Sequence, residues 1–439
     1  MSSPQGIPIP QVFVLWHPRC RLGEALARRI LQWLRPGNGL GPEVFYRSLP
    51  APGAPANGLP PPLPRRTRAT ALKTRESVTD LQIALLLIDE NMVADLAWRR
   101  WLEELIRPPE SAQEPSKEIM PIALDATAYN TPPALRELNY LRPTGLPLPA
   151  GEDLNGPAFE RVARSLLKQV TEALCRSFLP RPAATTAATA GPPSSVSRVP
   201  PPKVNVFLSH AKQDGTVPAR RLRDYIYGQT QLAAFYDEND IAFGSVFSGV
   251  IQSGLGSPDT AAFIAIRSAR YASRPWCRRE VSSFRTPQPE IQSSNGYERW
   301  RIYPALVVEA MEGRQFSSGV PEFGNSPVIR WTDDDPGMEE LIITTIIRDA
   351  MLASFHSALG ASISPVENRI VINWLPDPTT LLHIPAVRSG SGRELLYPGR
   401  GLSYLELEIL SEFFPQEQLT FRCFEEYFTG EVFAEEQLT

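Results

Sequence analysis

Two hydrophobic periods alternate along the chain. Short runs rich in β-branched and aromatic residues, at 12–15, 43–46, 81–88 and 119–124, are separated by longer stretches, at 22–34 and 94–106, whose apolar positions recur with helical spacing. That alternation predicts a parallel sheet covered by helices. Within 159–175, Phe159, Val162, Leu166, Val170 and Leu174 fall on one helical face, so this segment should lie against the sheet and close a first unit. The same grammar then repeats, with strands expected at 204–208, 232–236, 261–266, 302–308 and 328–331. The last helix of this second unit should start at Asp334-Asp335-Pro336, a capping carboxylate ahead of a proline, and end near His356. Beyond it, strands at 369–374 and 394–397, a Pro-Asp-Pro turn and a helix at 403–414 predict a small C-terminal α/β appendage.

Length and composition sharpen the boundaries. At roughly 150 residues per domain, 439 residues suit about three domains. Proline is used 45 times, about twice the average, and it clusters. Residues 180–203 (PRPAATTAATAGPPSSVSRVPPPK) hold almost no bulky apolar side chain and read as a linker. Residues 49–64, followed by Arg65, Arg66, Arg68, Lys73 and Arg75, read as a long surface loop. The expected division is therefore 1–179, the linker 180–203, 204–357 and 358–439. The 44 Lys+Arg against 48 Asp+Glu give a net charge of -4 with no long basic block, which argues against a nucleic-acid partner. Cys20, Cys175, Cys277 and Cys423 are far apart and form no CxxC pair, so neither a disulfide framework nor a metal site is expected. The N-terminus lacks the pattern of a secretory signal, and the apolar run 81–88 is too short to span a bilayer. A soluble, cytoplasmic protein without a membrane partner is the expectation.

The candidate chemistry lies in the second unit, in three blocks: VNVFLSHAKQD at 204–214, FYDENDIAFGSVFSGVIQSGL at 235–255 and AIRSARYASRPWCRREV at 265–281. In order and spacing they resemble a Toll/interleukin-1 receptor (TIR) domain, over about one third of the chain. The resemblance implies a flavodoxin-like, doubly wound parallel sheet whose ligands sit beyond the carboxyl ends of the strands. The residues agree with such a site. Ser209, His210 and Ala211 lie just past the first strand, 237–246 forms the loop after the second, and Trp276 with Glu280 opens the helix after the third. In that helix Ser273 is placed to cap and Pro275 suits the first turn, which puts Trp276 and Glu280 on one face. An aromatic plane beside a carboxylate suits cleavage of an N-glycosidic bond: the ring stacks on the leaving base and the carboxylate stabilises an oxocarbenium-like sugar. In catalytic members of the family NAD+ is the substrate, no separate cofactor is used, and a glutamate at this WxxxE position is essential; here that residue is Glu280.

The resemblance further places Asp237, Gly244, Val246 and Phe247 in a substrate-facing loop with Ser209, His210, Ala211 and Trp276. Two positions depart from the family's pattern. Val246, followed by Phe247, stands where an aromatic residue is frequent, and Asp240 where some NAD+-cleaving members carry a lysine. Positive charge for the phosphates would then come from Lys212, Arg267, Arg278 or Arg279. Residue by residue, plainer readings compete. A glutamate among Arg274, Arg278, Arg279 and Arg285 reads as a surface ion-pair residue, and Cys277 as a small packing residue. Ser209, His210 and Asp214 sit too close in sequence for a triad, whose members come from separate elements, and His17 reads as a loop-closing residue rather than a metal ligand.

The first unit also looks like a TIR-related domain, through VFVLWH at 12–17, the strand ending Ile88-Asp89, and a helix with Trp98, Trp101, Glu103 and Glu104. No glutamate stands four residues after either tryptophan, so it reads as a degenerate copy for sensing, assembly or autoinhibition. The function implied is that of an NAD+ glycohydrolase releasing nicotinamide with ADP-ribose or a cyclic form, a regulated bacterial immune effector switched on by self-assembly through the loop near Phe243 and Gly244. A regulatory protein or a nucleotide signal is the other partner class. The competing expectation is a non-catalytic TIR scaffold.

Overall fold

The structure, a computed structural model, describes residues 10–35, 41–47, 81–107, 116–148, 151, 153–178, 205–230, 232–236, 260–310, 320–324, 326–389, 392–399, 401–415 and 418–427. The linker 180–203 and the proline-rich stretch 49–64 lie outside them. Among the described residues the fold is mixed α/β, built on three sheets. By contact the chain divides into two units, Met1–Val170 with Pro289–Arg301 and Phe355–Thr439, and Thr171–Gln288 with Ile302–Ser354.

The first sheet grows from β1 (Pro10–Trp16), α1 (Arg21–Leu34), β2 (Glu43–Arg47), β3 (Leu81–Ile88), a short helix Glu90–Ala94, α2 (Leu96–Ile106), β4 (Ser116–Ala123) and the long α3 (Pro157–Phe178). Its strand order is β2-β1-β3-β4, every pair parallel. All eight residues of β3 are buried, the continuous burial that a parallel sheet covered on both faces requires. On α1 the buried residues Leu26, Ala27, Ile30 and Leu34 form one stripe, as helical spacing demands. Phe159, Val162, Leu166, Val170 and Leu174 of α3 are all buried, as their spacing predicts.

The second sheet is built from β5 (Asn205–His210), α4 (Thr216–Gln229), β6 (Ala233–Tyr236), β7 (Thr260–Arg267) and α5 (Pro275–Arg285). Then β8 (Gln288–Gln292) and β9 (Glu298–Arg301) leave it, and β10 (Ala305–Glu309), β11 (Val328–Arg330) and α6 (Met338–Ser362) complete it. The order β11-β10-β7-β5-β6, with parallel pairing, is the flavodoxin-like 2-1-3-4-5 when only its own strands are counted. The strand order reverses between β5 and β7. Two sequence expectations are corrected. Pro336 stands ahead of α6 and not in its first turn; the Asp335 carboxylate instead accepts the N–H of Gly337 at 2.8 Å. The helix also continues past His356, through Gly360, to Ser362, three residues before the helix-opposing Pro365.

The third sheet takes β8 and β9 from inside the 204–357 span and adds β12 (Arg369–Ile372), β13 (Arg393–Tyr397), α7 (Tyr404–Phe413) and β14 (Leu419–Cys423). Its order, β14-β13-β12-β9-β8, follows the chain without reversal. The turn between β8 and β9 needs Gly296, which has φ +82° and where a Cβ would come within 2.9 Å of Asn368 Oδ1. Ser403 and Glu406 close a capping box on α7.

Candidate functional site

In doubly wound sheets the ligand crevice lies at the carboxyl ends of the strands where the order reverses, and here that reversal falls between β5 and β7. Ser209 and His210 are the last two residues of β5, and Ala211 follows; all three are buried. The connection after β7 is pinned to the one after β5. The Asp214 carboxylate accepts the Ser268 hydroxyl at 2.6 Å and the N–H of Arg270 at 2.9 Å. Asp214 therefore works as a loop clamp, in line with the rejection of a Ser-His-Asp triad. The clamped chain enters a single 3-10 turn, Tyr271–Ser273, and then α5.

Proline at the first turn starts α5 as expected, but the residue before it, Arg274, makes no side-chain cap. The expected cap at Ser273 is corrected: its hydroxyl donates to the carbonyl of Arg270 at 2.8 Å, within reach because the intervening turn folds back on itself. Along α5 the buried residues are Cys277, Glu280, Val281 and Phe284, a stripe at spacings of three and four that lies on the core. Glu280 is thus carried inward by the same periodicity as its apolar neighbours. It is 5 % exposed, so the surface ion-pair reading does not hold.

The carboxylate accepts a hydroxyl. Glu280 Oε2 accepts a hydrogen bond from Ser209 Oγ at 2.5 Å, and Ser209 Oγ lies 2.7 Å from the Tyr271 hydroxyl. Tyr271 is fully buried, and burial pushes its phenol well above the usual range; the Ser209 hydrogen bond opposes that shift, while Cys277 and Glu280 add to it. Cys277 packs as expected, its Sγ 3.5 Å from the carbonyl of His210. Trp276 is 48 % exposed at the start of α5, with the Arg279 guanidinium 5.6 Å over its ring. Of the other cations proposed for phosphates, Arg278 pairs with Glu322 at 2.6 Å and Arg267 with Glu309 at 3.2 Å.

The structure thus brings Ser209 directly onto Glu280, sets His210 and Ala211 beside them in chain, and leaves Trp276 half open to solvent one turn earlier. Asp237, Gly244, Val246 and Phe247, with Asp240 and Phe243, lie outside the described residues. Sequence reasoning missed Tyr271, whose partner Ser209 is 62 positions away. The only signal was a tyrosine placed between the strand and helix that carry the other two residues. Among the described residues, no group of three or more His, Cys, Asp or Glu is arranged to hold a metal ion, and no helix is long and apolar enough to cross a membrane.

No protein-family model matches the chain, and no curated protein matches it in sequence. Among solved structures, it is similar to the TIR domains of the activated Roq1 resistosome directly recognizing the pathogen effector XopQ, at 16 % identity over 35 % of this chain and 84 % of that one, with a TM-score of 0.19. It is also similar to the tagatose-6-phosphate ketose/aldose isomerase from Escherichia coli, at 10 % identity over 81 % of this chain and 84 % of that one, with a TM-score of 0.17. At those values neither likeness carries an argument about this chain.

Proposed function

We propose that the crevice between β5 and β7 is the site of a TIR-type NAD+ glycohydrolase, with Glu280 as its essential carboxylate. The observation that supports this reading is a buried carboxylate near the reversal of strand order that accepts the Ser209 hydroxyl, with the half-open indole of Trp276 four residues before it. In the reaction, the bond between nicotinamide nitrogen and ribose carbon breaks, its electron pair leaving with nicotinamide. Positive charge develops on the ribose, and a carboxylate fixed beside it lowers the barrier. Water then adds to the ribose carbon and loses a proton, giving ADP-ribose; attack by the adenine of the same molecule gives a cyclic product instead. The Trp276 ring suits stacking on the nicotinamide side, and Lys212, Arg267, Arg278 or Arg279 would supply positive charge for the phosphates.

The same reading assigns activity to the middle domain and activation to self-assembly, with the other domains setting when it occurs. The test is NAD+ consumption by the full chain at high concentration with a crowding agent, comparing wild type with Glu280→Ala and checking that both are folded. Loss of NAD+ in the wild type alone is the expected result. Equal loss in both would move the chemistry elsewhere, and no loss in either would favour the scaffold.

A further inference from the structure

Resting on the glycohydrolase reading, we infer that Tyr271 is a positioning residue which sets the orientation of the Glu280 carboxylate through Ser209. Three elements meet at this point: β5 supplies Ser209, the turn after β7 supplies Tyr271, and α5 supplies Glu280. The direction of the hydrogen bonds follows from proton counting. The single proton of the Ser209 hydroxyl is donated to Glu280 Oε2 at 2.5 Å. The 2.7 Å contact between Ser209 and Tyr271 must then be donated by the phenol. Tyr271 has that proton to give, since its fully buried hydroxyl is held in the neutral form.

The donor at the head of this chain is rigid. The Tyr271 ring lies against Phe323, with centroids 5.9 Å apart, inside the core cluster that also holds Phe263 and Phe284. Its backbone N–H is bonded to the carbonyl of Ser268 at 3.1 Å, and Ser268 is clamped by Asp214. A glutamate side chain, by contrast, turns about three bonds, and helix packing fixes only its origin. Donation from Tyr271 polarises the Ser209 hydroxyl and strengthens the bond that selects one carboxylate orientation. Ser209, which the family resemblance places among the substrate contacts, spends its proton on Glu280 and acts through it.

A carboxylate out of register loses its stabilisation of the developing ribosyl charge, while the remaining contacts to NAD+ persist, so the loss falls on kcat and not on KM. Tyr271→Phe removes one oxygen and keeps the ring against Phe323. The expected result is a fall in kcat of about tenfold or more with KM within about twofold, each rate referred to folded protein. Ser209→Ala should fall at least as far, and the double variant no further than Ser209→Ala, because the two hydroxyls act in series. A wild-type kcat in Tyr271→Phe, or rate losses that multiply in the double variant, would overturn the inference and leave the glycohydrolase reading standing. Absence of cleavage in the wild type, read in its own arm, removes both. If Tyr271→Phe does not fold, Ser209→Ala carries the test alone, and an unchanged kcat there overturns the relay.

Discussion

The first and second sheets share the strand order 2-1-3-4 but use the polar residues at their carboxyl edges differently. At the first edge they saturate backbone. Cys20 Sγ accepts the N–H of Gly23 at 3.2 Å to start α1, Asp89 accepts Met92 N–H at 3.0 Å to start the Glu90–Ala94 helix, and Asp95 accepts Ala97 N–H at 2.8 Å to start α2. Asp125 accepts from both Thr127 and Glu90 backbone, and His17 accepts the N–H of Arg19 at 3.2 Å, closing its loop as expected. At the second edge the residues before α4 and α5, Gly215 and Arg274, make no side-chain cap, and Ser209, Tyr271 and Glu280 bond to one another. An edge whose acids are committed to helix starts is a finished structural element. An edge whose buried acid accepts a side-chain hydroxyl and starts no helix is, on the glycohydrolase reading, the one that keeps a carboxylate for chemistry.

The largest effect should separate the two edges outright. Glu280→Gln keeps the shape and the Ser209 contact but removes the charge, and is expected to lower NAD+ cleavage by about 10³-fold or more, on the order of 4 kcal/mol in the barrier. Asp89→Ala, at the corresponding place in the first sheet, should leave the rate within about twofold. Comparable rate losses in the two variants would end the distinction between a structural and a chemical edge.

Next come the cores beneath the edges. Phe284 is 1 % exposed and packs on Phe263 and Phe207 at centroid distances of 4.4 and 5.3 Å; Trp98 is 2 % exposed against Trp101 at 5.5 Å. Truncating either to alanine should cost about 3–5 kcal/mol in urea unfolding. If Trp98→Ala cost under about 1 kcal/mol, the first sheet would lack the packed core that its burial describes.

Smaller effects test the caps and the clamp. Asp89→Ala should cost about 1–2 kcal/mol of stability and nothing in rate, because its carboxylate serves Met92 and Asn91. Asp214→Ala should cost about 1 kcal/mol and lower the rate as well, because it loosens the turn that carries Tyr271. Unfolding curves and NAD+ assays on the two variants give the comparison, and a rate loss shared by both would contradict it.

Much of this was legible in the chain because burial wrote it there. The apolar run 81–88 gave a strand whose ends match to the residue, and the Trp276-to-Glu280 spacing gave the helix that carries the carboxylate. Most of what escaped was decided by partners distant in sequence. β8, with the sequence QPEIQ, has no apolar pattern and is a strand only because the third sheet accepts it through β9. Ser273 has the chemistry of a cap, yet a turn of three residues gives its hydroxyl a nearer acceptor. Glu280 read alone was a surface ion-pair residue; the helix stripe and a serine 71 positions away turned it inward.

The smallest effect concerns the thiol that caps α1. Burial pushes the Cys20 thiol up to about 12, with the carboxylates of Asp89 and Asp125 adding to the shift, and burial pushes Cys175 up to about 12 as well. In the unfolded chain these thiols ionise near 9, so above that pH the unfolded state gives up protons that the folded state keeps, and stability falls as pH rises. The stability these two thiols supply is therefore fully present at pH 7, and the loss is about 0.4 kcal/mol per thiol at pH 9, growing toward the folded-state value. Cys20→Ser keeps an oxygen to accept from Gly23 and has no proton to lose in this range, so its unfolding free energy between pH 7 and pH 10 should fall less steeply than that of the wild type. An unchanged slope would mean that Cys20 is as ionisable in the folded protein as in the unfolded chain, and the first edge would then hold a reactive thiolate where a spent cap is expected.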